Sequence, residues 1–172
     1  MKKKDNIILI GMPAVGKSSI GVILAKEIGY QFLDADLLIQ QQEGCLLKEI
    51  LDRRGVEGFV RIENEVNCSI DGSRTVIATG GSAVYGREAM EHFKEIGTII
   101  YLRSEYHILE KRLGDLKGRG VVLKEGQTLM DIYSERCPLY EKYADIIVEE
   151  NEKSIEETLQ SILSIFSPRE QL

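Results

Sequence analysis

The sequence predicts a three-layer α/β/α domain built on a five-stranded parallel sheet, and three observations carry that prediction. Short aliphatic runs alternate with segments of helical periodicity, the pattern of a parallel sheet covered by helices. The first run is apolar throughout rather than alternating, as a strand buried on both faces is. The first three runs break at Gly11, Asp34 and Gly80, where the chain must turn. At 172 residues the chain is long enough for one such domain and short for two. Residues 1–172 are therefore read as one unit without repeats, linkers or low-complexity tracts.

In order, 6–10 is the apolar strand, and 18–28 a helix whose Ile20, Ile23, Leu24 and Ile28 share a face and whose stop is Gly29. Residues 31–33 form a second strand ending at Asp34-Ala35-Asp36. Helical patches follow at 37–43, 46–53 and 57–70, punctuated by Gly44 and Gly55. Strands at 75–79, 98–102 and 145–148 complete the sheet, with a helix at 86–96 between the first two of these. The closing helix starts at Ser154, where Ser154-Ile155-Glu156-Glu157 is a capping box ahead of an apolar face of Ile155, Leu159, Ile162, Leu163 and Phe166. Residues 114–127, rich in Gly, Lys and Leu, read as a mobile lid around Arg119, and 167–172 as a frayed tail. Tyr101, Tyr106, Tyr133, Tyr140 and Tyr143 are read as core and interface filling, His92 as solvent-facing, and the three cysteines as buried small apolar groups.

Lys and Arg number 22 against 28 Asp and Glu, a formal charge of −6 that disfavours broad binding to nucleic acid or anionic membranes. An anionic ligand has to be bound locally. Cys45, Cys68 and Cys137 are odd in number and far apart, with only His92 and His107 to assist, which supports neither a disulfide framework nor a zinc site. The apolar stretch after Lys2, Lys3 and Lys4 is interrupted at Gly11, and no run approaches membrane-spanning length. The expectation is a soluble, cytoplasmic, monomeric protein with no nucleic-acid or membrane partner.

The chemistry starts at Gly11-x-x-x-x-Gly16-Lys17-Ser18, a complete phosphate-loop pattern between the first strand and the first helix. Glycines let successive main-chain N–H groups curl around an anion, and the following helix adds its positive end. Lys17 then reaches the terminal phosphates of ATP and Ser18 ligates Mg²⁺. The candidate ATP-binding residues are Gly11, Met12, Pro13, Ala14, Val15, Gly16, Lys17, Ser18 and Ser19. Ligands of an open parallel sheet bind off the carboxyl ends of its strands, so Asp34, Asp36, Gly80 and Gly81 should share the crevice with this loop. On an extended stretch, Asp34 and Asp36 point the same way. One carboxylate would orient the metal and the other would accept the proton of an attacking hydroxyl. Asp34-Ala35-Asp36 also reads as a helix N-cap. No aliphatic strand ends in the aspartate of motor ATPases, so transfer to a small molecule fits better than hydrolysis.

From Asn6 to Phe166 the sequence resembles the shikimate kinase family, whose fold is the P-loop, nucleoside-monophosphate-kinase-like one. The resemblance rests on the phosphate loop, on Phe32-Leu33-Asp34-Ala35-Asp36, on Ala78-Thr79-Gly80-Gly81-Ser82, on the arginines within 110–120, and on 134–145 around Arg136-Cys137-Pro138-Leu139-Tyr140. It implies that Asp34 helps hold magnesium, Asp36 grips substrate hydroxyls, and Gly80 and Gly81 lie under the substrate. It further implies that Arg112 lies on adenine, that Arg119 descends with the lid onto the transferring group, and that Arg136 pairs with a substrate carboxylate. The implied reaction moves the γ-phosphoryl group of ATP, with Mg²⁺, to the 3-hydroxyl of shikimate in aromatic amino acid biosynthesis, with Lys17, Asp36 and Arg119 catalytic.

Four positions depart from the family pattern. In Phe59-Val60-Arg61-Ile62-Glu63, Val60 stands where an arginine normally shares the substrate carboxylate. Arg61 is a candidate substrate-binding residue, although one helical step turns a side chain by about 100° from its neighbour. Ser82 ends the triple-glycine segment, Gly120 replaces a proline after the lid arginine, and Ala14 replaces a glycine of the phosphate loop. These departures keep two alternatives open: a same-fold kinase for another small hydroxylated metabolite, and a regulatory protein that holds ATP without turnover.

Overall fold

The computed structural model describes residues 4–114 and 120–166. Five parallel strands form one sheet in the order β2-β3-β1-β4-β5: β1 (Asn6–Ile10), β2 (Gln31–Asp34), β3 (Thr75–Ala78), β4 (Gly97–Arg103) and β5 (Ile146–Glu149). Every residue of β1 is buried, which suits its continuous aliphatic sequence at the centre of the sheet. Ile8 aligns with Ile77 of β3 on one side and with Ile99 of β4 on the other. The order of connection reverses across β1, so the loop leaving its carboxyl end opens at the switch point of the sheet. Buried Asn6 locks the opposite end, its Nδ2 donating to Gly72 and Ile96 carbonyls and its Oδ1 accepting from the Thr75 N–H.

Seven helices are described: α1 (Lys17–Ile28), α2 (Ala35–Glu43), α3 (Leu47–Ser69), α4 (Arg87–Ile96), α5 (Tyr106–Leu113), α6 (Leu129–Tyr143) and α7 (Ile155–Phe166), with a 3-10 turn at Ala83–Tyr85. Strands and helices expected from the sequence occur within one or two residues of their predicted ends. The two patches read on either side of Gly55 are the arms of α3, broken where Gly55 adopts φ 67°, ψ −179°. The Ser154 capping box is present, the Ser154 hydroxyl accepting from the Glu157 N–H and the Glu157 carboxylate from the Ser154 N–H.

The sequence reading passed over α5 and α6. Pro138 inside α6 removes a helical N–H and breaks the expected pattern, yet the helix continues through it because its inner side is buried through Ile132, Arg136 and Tyr140. Tyr101, Tyr140 and Tyr143 fill the main core, and Tyr106 meets Tyr133 edge-on at 5.6 Å between ring centres. His92 is half-buried rather than solvent-facing, its Nε2 hydrogen-bonded to the Ile70 carbonyl at 2.7 Å. Cys45, Cys68 and Cys137 are likewise half-buried rather than fully enclosed.

A second, smaller core of Ile39, Ile50, Phe59, Val66 and Val122 joins α2, α3 and the segment that follows Gly120. Through Leu47 and Phe59, α3 forms part of one wall of a cleft shared with the loop after β1 and the turn after β3.

Candidate active site

The turn from β1 into α1 has the backbone an anion cradle requires. Gly11 and Gly16 sit at φ 151° and φ 100°, and a Cβ on Gly11 would lie 2.7 Å from the Leu102 carbonyl oxygen. Ala14 adopts φ 65°, left-handed backbone that costs an alanine about 1 kcal/mol. The side chains of Met12 and Val15 are anchored in the core, leaving only their main chain to a ligand, while Pro13, Ala14, Gly16, Lys17, Ser18 and Ser19 line the cleft. Lys17 is buried, and its Nζ donates to the carbonyls of Gly11 at 2.8 Å and Met12 at 2.9 Å, curling the ammonium over the loop. Burial lowers its pKa to about 8, with Asp36 opposing, so the ammonium still predominates at neutral pH.

The two aspartates do not stand on one extended stretch. Asp34 ends β2 and caps α2, its Oδ1 accepting from the N–H groups of Asp36 at 3.0 Å and Leu37 at 3.3 Å, while Asp36 already belongs to the first helical turn. The helix starts there because its free N–H groups need an acceptor and Asp34 supplies one. The other oxygen, Oδ2, accepts a 2.6 Å hydrogen bond from the Ser18 hydroxyl. One carboxylate therefore serves both the cap and the loop. Asp36 lines the cleft, and burial, helped by Asp34 and opposed by Lys17, raises its pKa to about 6. A hydroxyl and a carboxylate oxygen in contact at the mouth of a phosphate loop are the hard donors magnesium takes beside phosphate oxygens, so the residues fit that ion. Among the described residues no group of three or more His, Cys, Asp or Glu gathers to hold a metal alone.

Opposite the loop, β3 ends in a floor made of main chain. A Cβ on Gly80 would lie 2.5 Å from Glu63 Oε1 and 2.8 Å from Asp36 Oδ1 and would displace those carboxylates, and one on Gly81 would meet the Pro13 ring at 2.8 Å. The Tyr140 hydroxyl donates to the Gly81 carbonyl at 2.5 Å and fixes the floor from below. One turn earlier on α6, Arg136 is 1% exposed. Its Nη2 donates to the Val122 carbonyl at 2.6 Å and its Nε to the Tyr85 hydroxyl at 3.2 Å, whereas Nη1 has no hydrogen-bond partner among the described residues. Lys17, Asp36, Phe59, Gly80, Val122 and Arg136 all line a single cavity of about 290 Å³. A buried guanidinium with an unpartnered N–H group beside such a cavity has the donor geometry that suits a carboxylate.

The remaining sequence candidates lie elsewhere. Arg61 is exposed on α3 and lines a neighbouring groove with Val60 and Tyr85, not the cavity of the phosphate loop. Arg112, on α5, donates from Nη1 to buried Glu150 at 3.0 Å, beside Leu113, which does line the cleft. Arg119 lies outside the described residues; of the expected lid, Gly120, Val121 and Val122 border the cavity. The sequence gives Glu63 and Tyr85 no site role, and Tyr140, expected as core filling, also reaches the floor of the site. Tyr140 was legible in principle, since it follows Arg136 by four residues and so shares its helical face. Glu63, four residues after Phe59, carried the same signal.

Comparison with known proteins identifies the family. The family model described as shikimate kinase matches residues 13–167. A shikimate kinase of Thermodesulfovibrio yellowstonii is 34% identical over 161 residues, covering 92% of each chain. Shikimate kinase 2 of Yersinia enterocolitica is 31% identical over 172 residues, covering 95% of this chain and 96% of its own. Among solved structures, a shikimate kinase from Acinetobacter baumannii in complex with shikimate superposes with a TM-score of 0.85 at 30% identity, covering 96% of this chain and 94% of that one. With the phosphate loop, the capping aspartate, the glycine floor and the buried arginine all in place, the chain belongs to the shikimate kinase family.

Proposed function

We propose that this protein transfers the γ-phosphoryl group of ATP, with Mg²⁺, to the 3-hydroxyl of shikimate. The observation that carries the proposal is a single cavity lined by Lys17, Asp36 and Arg136, whose buried Nη1 has no hydrogen-bond partner among the described residues. That arrangement supports reading Lys17 as a phosphate-binding cation, Asp36 as a proton-accepting carboxylate and Arg136 as a carboxylate-binding guanidinium. The acceptor carboxylate pairs with Arg136 Nη1, and the main chain of Gly80 and Gly81 supports the ring. Asp36 orients the attacking hydroxyl and takes its proton, which its raised pKa favours. The loop amides and Lys17 hold the β- and γ-phosphates and offset the charge that develops during transfer. Ser18 and Asp34 would hold magnesium, which would neutralise phosphate charge.

Arg112 would flank the adenine from α5, oriented by Glu150, and Arg119, which lies outside the described residues, would offset charge on the transferring group. The protein works as a cytoplasmic monomer under this reading; no helix among the described residues is long and apolar enough to cross a membrane.

The test is ADP release by the purified protein given ATP and Mg²⁺, with and without shikimate. Robust shikimate-dependent release is expected. Val60 favours a second reading, because it leaves Arg136 as the one guanidinium lining the cavity among the described residues. Release driven by another hydroxylated acid, and none at millimolar shikimate, would establish that reading in its place.

A further inference from the structure

The acceptor floor contains a second buried carboxyl that the proposed reaction leaves without a task. Glu63 is 1% exposed, and it sits on α3 one turn after Phe59, which lines the cavity. Its Oε2 accepts a 2.6 Å hydrogen bond from the Ser82 hydroxyl, while its Oε1 is buried with no hydrogen-bond partner among the described residues. Oε1 and Asp36 Oδ1 flank the same face of Gly80, at 2.5 Å and 2.8 Å from the point a Cβ would occupy.

Positions 60 and 63 are neighbours on a helix surface, so a long cation at 60 would reach Glu63, and valine offers it no donor. Ser82 supplies the donor from the opposite side. It sits at φ −89°, ψ −1°, so its side chain costs no backbone strain, and it is 4% exposed.

We propose, resting on the shikimate kinase reading above, that Ser82 and Glu63 are the acceptor-positioning pair of this chain: the hydroxyl fixes the carboxyl against Gly80, and the carboxyl sets the position and charge of the floor where Asp36 meets the acceptor, in place of a second guanidinium. Glu63 acts through Gly80 and Asp36 and is a positioning residue. An arginine with an ionised glutamate carries no net charge, and neither does a valine with a protonated one. Either way Lys17 and Arg136 outnumber Asp36, which suits an anionic acceptor. The charged groups that face Glu63 are Asp36 from α2, Lys17 from α1 and Arg136 from α6, with the Ser82 hydroxyl from the turn after β3. Burial dominates and raises the Glu63 pKa to about 8; Asp36 adds to the rise, and Ser82, Arg136 and Lys17 oppose it. Above that pH the floor gains an anion that repels the acceptor carboxylate.

The experiment measures the shikimate KM between about pH 6.5 and about pH 9.5, a range that spans ionisation of Glu63, with the ATP KM followed in parallel. In wild type the shikimate KM should climb above pH 8, and in E63Q that climb should disappear while the ATP profile is kept. In S82A the climb should begin at higher pH, because the lost donor had favoured the anion. S82G should raise the shikimate KM about fivefold at neutral pH, the worth of one hydrogen bond, and V60R in the S82G background should lower it again. A pH-independent shikimate KM in active wild type, or matching profiles in wild type and E63Q, overturns the proposal. Carbon-13 spectra of glutamate-labelled protein, assigned with E63Q, follow the same carboxyl without any acceptor. A midpoint raised above the ordinary carboxylate range that moves higher still in S82A supports the pair even in a protein that fails to phosphorylate shikimate, an outcome that would sink the shikimate reading alone; a midpoint unmoved by S82A overturns the pair.

Discussion

Asp34 holds two positions at once, and substitution can separate them. Its Oδ1 caps α2 by accepting from two N–H groups, and its Oδ2 holds the Ser18 hydroxyl. In D34A both are lost. An N-cap is worth about 1 kcal/mol. The hydrogen bond to Ser18 adds about 1 kcal/mol. For a domain of this size, that total of about 2 kcal/mol lowers Tm by about 4–8 °C. In D34N the amide oxygen caps as well as the carboxylate does, and the amide nitrogen can donate to the Ser18 oxygen, so Tm should move by no more than about 1 °C. The charge is gone in both variants. Thermal unfolding followed by circular dichroism, with Mg²⁺ titrations of the ATP-dependent rate, reads the two roles separately. D34N should stay as stable as wild type while needing far more Mg²⁺, and D34A should fail on both counts. An equal loss of Tm in D34N and D34A would refute the capping argument, and an unchanged Mg²⁺ requirement in D34N would refute the metal assignment.

Three further outcomes follow from the same geometry. K17M should lower kcat by about 10²–10³-fold, as removal of one preorganised charge contact does, and wild-type kcat/KM for ATP should turn down above about pH 8 as the ammonium deprotonates. Glu63 binds its proton more tightly folded than unfolded, so it favours the fold at low pH, and that contribution fades as pH rises from its ordinary value of 4.5 to about 8. The Tm of E63Q should therefore gain on wild type across that window and hold a constant lead above it; a gap that shrinks with rising pH would contradict the burial argument. A14G should relieve left-handed strain at φ 65° but loosen the unfolded chain, for a net stabilisation of at most about 1 kcal/mol in urea unfolding. A clear loss of stability there would show that the alanine side chain contributes packing the strain argument ignores.

The chain itself settled whatever local spacing can encode. Gly11, Gly16, Lys17 and Ser18 lie within eight consecutive positions, so their cradle is a property of one turn and one helix start. Asp34 as a cap, Gly29 and Gly55 as breaks, and the buried aliphatic strands are local in the same sense. Helix α6 escaped because Pro138 disrupts the local signal and burial of one face overrides it.

Only the tertiary structure decided which distant residues would meet. The order β2-β3-β1-β4-β5 puts the carboxyl ends of β1, β2 and β3 side by side and so brings Lys17, Asp36 and Gly80 into one cavity. Packing of α6 buries Arg136 with Nη1 unpartnered among the described residues, and the meeting of α3 with the β3 turn pairs Glu63 with Ser82. The charge states of Lys17, Asp36 and Glu63 depend on how much water and which neighbours surround each group, and those are set by contacts between residues far apart in the chain. Spacing along a sequence fixes what a segment can do, whereas desolvation and long-range approach come into being only when the segments pack.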